Sequence, residues 1–282
     1  MLARVPASSA NLGPGFDVLA VALERYVEVT IDPADEFSIT TSGAGAGRFD
    51  DENHLAARVA AGVLGHTRFA LNVHSTIPVS RGLGSSAALA LAAAAAAGAP
   101  DPLALAVEVD GHAENAAASW RGGLVAASTD SDGSILVRDL ALDDVWRFVV
   151  VIPDVELATA AARAALPPSV PFADAVSNLR ALTELLAGLA DHHAFRAAAM
   201  DDALHQPYRS ALLPFATPLL AALREGGASG SCWSGAGSTM LGLATVAHAE
   251  AVAQAARAFC EREGIDATVD VLRADRTGLV VR

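Results

Sequence analysis

The chain has 282 residues, a formal net charge of −13 and 52% hydrophobic residues. This apolar content predicts a folded protein with one large domain or two ordinary ones, and excludes a disordered chain. The acidic balance argues against nucleic acid and anionic membranes as partners. No apolar run is long enough to span a bilayer, so we expect a cytoplasmic protein.

Every one of the 19 basic residues is an arginine, and lysine is absent. The absence of lysine excludes the phosphate loop that ends in Gly-Lys-Ser/Thr, a Schiff-base lysine and the catalytic lysine of protein kinases. Cys232 and Cys260 are the two cysteines. They show no metal-ligand spacing, and a disulfide framework is not expected in a chain of this size.

Predicted helices and strands do not alternate regularly along the chain, which favours an α+β fold over a doubly wound sheet. Strand patterns cover residues 26–32, 36–43, 69–80, 122–129, 134–140, 146–153, 237–245, 267–275 and 277–282. Helical patterns cover residues 53–65, 87–97, 100–111, 158–166, 171–190, 194–205, 214–226 and 247–264. Helices dominate the later part of the chain, so we predict a domain boundary near residues 147–153.

A turn rich in glycine and serine leads directly into an alanine-rich helix in "PVSRGLGSSAALALAAAAAAG", residues 78–98. In one interpretation, Ser85 or Ser86 caps the helix by accepting hydrogen bonds from its first N–H groups. In the other, those N–H groups and the helix dipole bind a phosphate that the glycines allow to approach closely. This stretch alone leaves both interpretations open.

Three separated motifs together resemble those of the GHMP kinases, which include galactokinase, homoserine kinase and mevalonate kinase. They are "PASSANLGPGFDVLAVAL" at 6–23, "PVSRGLGSSAA" at 78–88 and "GSCWSGAGSTMLGLA" at 230–244. The resemblance spans nearly the whole chain. The first motif is similar to that of the homoserine kinases in particular, as are "DGHAENAAASWRGG" at 110–123, "ATAAARAALP" at 158–167 and "QPYRSALLP" at 206–214.

The resemblance implies a two-domain GHMP kinase architecture of the α+β class. Residues 1–147 would form a ribosomal-S5-like N-terminal domain with the ATP-binding loop, and residues 148–282 a ferredoxin-like C-terminal domain. ATP and Mg²⁺ would be the cofactors, L-homoserine the substrate and a homodimer the common assembly. The implied reaction transfers a phosphoryl group to the homoserine hydroxyl, a step in threonine biosynthesis.

The resemblance also implies which residues bind the nucleotide and the metal. Asn53 would contact the adenine. Residues around the phosphates would be Pro78, Arg81, Gly82, Leu83, Gly84, Ser85, Ser86 and Ala87. Ser86 and Asp110 would hold Mg²⁺, and both offer the hard oxygen ligands that this ion prefers.

A zwitterionic substrate needs groups of both charges, and the resemblance supplies them. Asp17 would bind its ammonium, and Arg163 and Arg209 its carboxylate, since guanidinium matches a planar carboxylate. Asn11 and Asn115 would hold the reacting end. Asn115, Asp110 and Arg163 would then catalyse the reaction by positioning and charge neutralisation, because an asparagine cannot act as a strong base.

Each of these residues also has a structural interpretation. Asp17 is compatible with a turn or helix-cap role, Asn11 and Asn115 with bonding to loop backbone, and the arginines with the protein surface. Asp110 would then end a helix without binding metal. The agreement of several separate segments with one family favours the functional interpretation.

The chain departs from the usual family pattern at five positions. Asp110 stands where glutamate is usual, Ala113 where proline is usual and Glu114 where aspartate is usual. Ser238 replaces a proline, which we expect to loosen the turn beside the phosphate loop, and Ala20 replaces a glycine. These changes keep two alternatives open: a GHMP kinase for another small hydroxy acid, and a weakly active paralogue that senses a ligand. A structural module without nucleotide binding is a third.

Overall fold

The computed structural model describes all residues, from Met1 to Arg282, and contains two β-sheets. The strands are β1 (Leu2–Asn11), β2 (Gly15–Pro33), β3 (Ser38–Gly43), β4 (Phe69–Ser75), β5 (Leu124–Thr129), β6 (Ile135–Leu140), β7 (Trp146–Pro153), β8 (Gly230–Trp233), β9 (Met240–Thr245), β10 (Ala267–Leu272) and β11 (Val280–Val281). The helices are α1 (Leu55–Leu64), α2 (Ser85–Ala96), α3 (Pro102–Asp110), α4 (Ala113–Arg121), α5 (Thr159–Ala164), α6 (Phe172–Ala190), α7 (Gln206–Arg209), α8 (Ala216–Glu225) and α9 (Ala249–Glu263). No helix combines the length and apolar character needed to cross a membrane.

The first sheet has seven strands in the order β11-β1-β2-β4-β3, with β5 paired to β2 and β6 paired to β5. Only β3 and β4 run parallel. Helices α1 to α4 pack on this sheet or on one another. Nearly every residue of α2 is buried, and its many alanines let neighbouring elements approach it from all sides.

The second sheet has the order β10-β7-β9-β8 and is entirely antiparallel. With α9 between β9 and β10, this is the strand order of the predicted ferredoxin-like domain. Both faces of β7 are covered: Phe148 and Val150 belong to the core shared with the first sheet, and Val149 and Val151 to the core under α8 and α9. This double burial explains the uninterrupted apolar run in β7.

The chain changes sheet between β6 and β7, near the predicted boundary at residue 147. The final strand β11 returns to the first sheet and pairs with β1. The domain ranges 1–147 and 148–282 stay a prediction. The last residues of the second range, in β11, lie in the first sheet.

The helix predicted over residues 194–205 is wrong. The structure has a short 3-10 helix at Ala197–Met200, then an irregular segment before α7. Asp202 explains the break, since its carboxylate accepts hydrogen bonds from the N–H groups of Leu204, His205 and Gln206. A side chain that satisfies the free N–H groups at a helix start favours a new helix over a continued one.

Candidate active site

A cavity of about 670 Å³ is lined by residues from both halves of the chain. Most of the residues implied by the resemblance line it: Asn11, Asp17, Arg81, Gly82, Gly84, Ser85, Ser86, Asp110, Asn115, Arg163 and Arg209. Asn53, Pro78, Leu83 and Ala87 do not line it. The fold therefore brings together residues from five separate parts of the sequence.

The turn before α2 is shaped for an anion rather than for a side-chain cap. The N-cap residue is Gly84, with φ of 65°, and no side chain accepts a hydrogen bond from the start of this helix. Ser85 and Ser86 are already helical, so neither is the N-cap that one interpretation required. The first N–H groups of α2 have no intrahelical acceptor, and both serines at this helix start line the cavity.

Close contacts with the second sheet's β8–β9 turn hold this phosphate loop, residues 82–86, in place. The Ser234 hydroxyl donates to the Gly82 carbonyl at 2.6 Å, and the Thr239 N–H donates to the Arg81 carbonyl at 3.1 Å. A Cβ at Gly82 would lie only 2.8 Å from the Gly237 carbonyl oxygen. Ser238, expected to loosen this turn, is buried and donates its hydroxyl hydrogen to the Val155 carbonyl.

Arg81 is bound to the end of β7 and to the segment that follows it. Its guanidinium lies 2.8 Å from an Asp154 carboxylate oxygen and 3.5 Å from Glu156, and its Nε donates to the Pro153 carbonyl. These acidic partners neutralise its charge. The positive potential of the loop therefore comes mainly from backbone N–H groups and the α2 dipole.

For the predicted adenine contact, the structure favours His54 and Phe49 over Asn53. Asn53 is exposed and outside the cavity, whereas His54 and Phe49 line it. The Nδ1 atom of His54 accepts the Ala56 N–H at the start of α1, and burial lowers the pKa of His54. The neutral ring therefore keeps its proton on Nε2. The motif alone did not distinguish Asn53 from the histidine beside it.

Ser86 and Asp110 both line the cavity and offer a hydroxyl and a carboxylate to a magnesium ion. Asp110 is the last residue of α3, and its side chain is 14% exposed. His112 contacts the Asp110 main chain: its Nδ1 lies 2.9 Å from that carbonyl oxygen and donates to it. The His112 Nδ1 atom also lies 3.7 Å from one Asp110 carboxylate oxygen. The other carboxylate oxygen stays available to a hard cation, so the residues present fit Mg²⁺.

Asn115 lies on α4 with its amide oriented by a buried serine. The Ser8 hydroxyl donates to the Asn115 Oδ1 atom at 2.9 Å, which leaves the amide nitrogen as the group available to the cavity. Both ends of the Asn11 side-chain amide are already hydrogen-bonded within the chain. Its Oδ1 accepts the Asp17 N–H and its Nδ2 donates to the Gly235 carbonyl, so it also shapes the turn that carries Asp17.

For the phosphoryl transfer that the family resemblance implies, replacing Ser8 with alanine should lower kcat about tenfold, because the hydrogen bond that fixes the Asn115 amide is lost. Steady-state kinetics with Mg-ATP would measure this. Ser119→Ala is the matched control, since Ser119 is a buried serine on α4 whose hydroxyl has no partner. Equal kcat values in the two variants would contradict the positioning role.

Asp17 and Arg163 form a bidentate ion pair with distances of 2.6 and 3.0 Å. Arg209 is only 2% exposed and is surrounded by neutral acceptors, namely the Ala162 and Gly235 carbonyls and the His205 ring. Its Nη2 atom makes no hydrogen bond within the chain. The surface interpretation of Arg209 is therefore wrong: it is a buried cation without a directly bonded carboxylate.

Glu114 adds a buried carboxyl group to the cavity and is 4% exposed. Burial, with smaller contributions from the Asp17 and Asp110 charges, raises the pKa of Glu114 to about 7. In the sequence, Glu114 stood out only as a departure from the family pattern. Its burial follows from its place on the inner side of α4.

Replacing Glu114 with glutamine should stabilise the ligand-free protein near pH 8 and leave it unchanged near pH 4.5. Between the ordinary value of 4.5 and the raised value of about 7, the folded state binds more protons than the unfolded state. Stability therefore falls as the pH rises through this window. The raised pKa of Glu114 means that ionising this carboxyl destabilises the folded state by roughly 3 kcal/mol at most.

Thermal melts across this pH range would measure the effect of Glu114→Gln. Glu108→Gln is the control, because Glu108 is an exposed glutamate on α3. Identical melting temperatures for Glu114→Gln and wild type near pH 8 would show that ionising the Glu114 carboxyl does not destabilise the folded protein.

Comparison with known proteins agrees with this geometry. The family models of the GHMP kinases N terminal domain and GHMP kinases C terminal match residues 53–123 and 176–262. A homoserine kinase of Moorella thermoacetica is 36% identical over 295 residues, covering 99% of both chains. The chain belongs to the GHMP kinase family.

Two further relatives extend the match within the family. A homoserine kinase of Gloeobacter violaceus is 39% identical over 281 residues, covering 90% of this chain and 91% of that protein. The crystal structure of homoserine kinase from Cytophaga hutchinsonii matches with a TM-score of 0.85 and 27% identity, covering 100% of this chain and 97% of that one. The resemblance seen in the motifs and the predicted fold class are confirmed.

Proposed function

We propose that the chain is a homoserine kinase, which transfers the γ-phosphoryl group of ATP to the hydroxyl of L-homoserine. One observation carries this proposal: the buried Arg209, without a carboxylate partner, faces the same cavity as the phosphate loop and Asn115. A small substrate that carries both a carboxylate and a hydroxyl could reach from the arginine to the transferred phosphate. The names of the full-length relatives agree with this choice.

The phosphate end of the site uses the main chain. The free N–H groups of Ser85 and Ser86 would bind the ATP phosphates, supported by the α2 dipole. Ser86 and Asp110 would hold Mg²⁺, which neutralises the phosphate charge when bound. His54 and Phe49 would border the adenine, with His54 Nε2 as a hydrogen-bond donor.

The amino-acid end of the site matches a zwitterion. A substrate ammonium would pair with Asp17, and its carboxylate with Arg163 and Arg209. A zwitterion lying against the Asp17–Arg163 pair adds one charge of each sign, so the net charge of the site does not change. A neutral alcohol or a sugar would leave the buried Arg209 without an anion, which is costly.

Catalysis would depend on position rather than on a strong base. The Asn115 amide nitrogen can donate a hydrogen bond to the substrate oxygen but cannot accept its proton. The site would orient the hydroxyl toward the γ-phosphorus and stabilise the charge that spreads over the phosphoryl oxygens. This is how phosphoryl transfer is generally catalysed.

The direct test is an ADP-release assay with Mg-ATP and a panel of alcohols: L-homoserine, D-homoserine, L-threonine, mevalonate, pantoate and galactose. We expect turnover with L-homoserine well above that with the others. Turnover with another acid would move the substrate assignment within the GHMP kinases. No turnover, with ATP still raising the melting temperature, would favour the ligand-sensing paralogue.

Two further properties belong to the same proposal. A cytoplasmic location is supported by the two cysteines, which are free and buried rather than joined in a disulfide. A homodimer is supported by the family resemblance alone, and sedimentation analysis would test it.

A further inference from the structure

His205 is a buried histidine that the proposed chemistry does not use. Its side chain is fully buried and stacks on Phe16, with ring centroids 5.0 Å apart. Its Nε2 lies 3.0 Å from the Gly13 carbonyl oxygen, and its Nδ1 lies 3.1 Å from the Arg209 Nη1. The ring therefore connects the turn after β1 to the buried arginine.

A third group, the buried Asp202 carboxylate, has an oxygen 3.5 Å from Nε2. All three partners agree with one protonation state. The Gly13 carbonyl can only accept a hydrogen bond, so Nε2 carries the proton. The Arg209 guanidinium can only donate, so Nδ1 is unprotonated and accepts. Burial lowers the pKa of His205, and the positive charge of Arg209 acts in the same direction, while Asp202 and Asp17 oppose them. The neutral form agrees with the geometry.

The acceptor on His205 completes a fixed set of bonds around Arg209. The Nε atom donates to the Ala162 carbonyl at 3.2 Å, and Nη1 donates both to the Gly235 carbonyl and to His205. Because the guanidinium is planar, fixing Nε and Nη1 also fixes Nη2. Nη2 is the nitrogen left for a ligand in the cavity.

We infer that His205 is a positioning residue for the substrate carboxylate: through Nδ1 it orients Arg209 so that Nη2 faces the cavity. This inference rests on the proposed function, in which Arg209 binds that carboxylate. His205 does not line the cavity, so it would touch neither substrate nor nucleotide. Its effect is therefore confined to substrates that carry a carboxylate.

A pair of amide substitutions separates the two ring nitrogens. In His205→Asn the side-chain oxygen takes about the place of Nδ1 and can still accept from Arg209. In His205→Gln the amide takes about the place of Nε2 and keeps the contact with Gly13, but the acceptor for Arg209 is lost. We expect His205→Gln to raise the KM for L-homoserine about tenfold, with the KM for ATP unchanged. His205→Asn should restore most of the affinity.

A second substrate distinguishes positioning from general damage. 3-Aminopropan-1-ol has the ammonium and the hydroxyl of L-homoserine but no carboxylate. His205→Gln should have the same kcat/KM as wild type for this alcohol. An unchanged KM for L-homoserine, or equal losses for both alcohols, would overturn the inference. If wild type does not phosphorylate L-homoserine, the proposed function fails instead.

A measurement on the unsubstituted protein covers the case in which the variants do not fold. Nitrogen-15 spectra of the imidazole groups report which ring nitrogen carries the proton. We expect His205 with a protonated Nε2 and a bare Nδ1 near neutral pH. A protonated Nδ1 would overturn the inference, because it could not accept from Arg209.

Discussion

Replacing Arg209 with methionine should raise the KM for L-homoserine by about thirtyfold or more. Removing one partner of a buried, charge-assisted contact costs about 2–5 kcal/mol, and about 1.4 kcal/mol corresponds to a factor of ten. The KM for ATP should change little, because the phosphate loop does not contact Arg209 in the hydrogen bonds of the structure. Steady-state kinetics with each substrate varied in turn would measure both values.

Two companion variants show whether the loss belongs to this guanidinium. Arg180→Met removes an arginine that is exposed on α6, so it should leave both KM values unchanged. Arg209→Lys keeps the charge but cannot donate from a planar fork, so it should fall between wild type and Arg209→Met. A KM for L-homoserine unchanged in a folded Arg209→Met variant would exclude Arg209 from the carboxylate site.

Replacing Gly82 with alanine should lower kcat/KM for ATP at least about a hundredfold. The backbone there has φ of 76°, and a Cβ would collide with the main-chain oxygens of Ser234 and Gly237. Backbone atoms cannot move aside as a flexible side chain can. The phosphate loop would therefore shift away from the β8–β9 turn, and the N–H groups at the start of α2 would lose their alignment.

Gly98→Ala is the control for backbone strain. Gly98 also has a positive φ, of 80°, but a Cβ there would have no neighbour within 4 Å. This substitution should cost roughly 1 kcal/mol of stability and leave the kinetics unchanged. Equal kcat/KM values for Gly82→Ala and Gly98→Ala would show that the close contact at Gly82 does not set the shape of the loop.

The sequence predicted the elements in which apolar residues form an unbroken run or a regular alternation. The apolar run of β7 and the alternation in β3 both appear as strands. β1 and the first half of β2 were not predicted, because "LARVPASSAN" mixes small and polar residues without alternation. Their burial depends on partners distant in sequence, such as the contact between Ser9 and Ser234.

The site was predicted through motifs, and the structure adds what motifs cannot carry. The family resemblance assigned Asp17 and Arg163 to opposite ends of a substrate, and the structure shows them paired with each other. Whether Asn53 or His54 faces the cavity depends on the turn that begins α1. The role of His205 depends on Gly13, which lies 192 positions away. Such relations arise only from tertiary structure.

A crystal structure with a non-hydrolysable ATP analogue, Mg²⁺ and L-homoserine would test the central claim most directly. We expect the phosphates on the N–H groups of Ser85 and Ser86, the substrate carboxylate on Arg209 Nη2, and the hydroxyl beside Asn115 and in line with the γ-phosphorus. A nucleotide bound away from the phosphate loop, or a homoserine carboxylate away from Arg209, would contradict the proposed function.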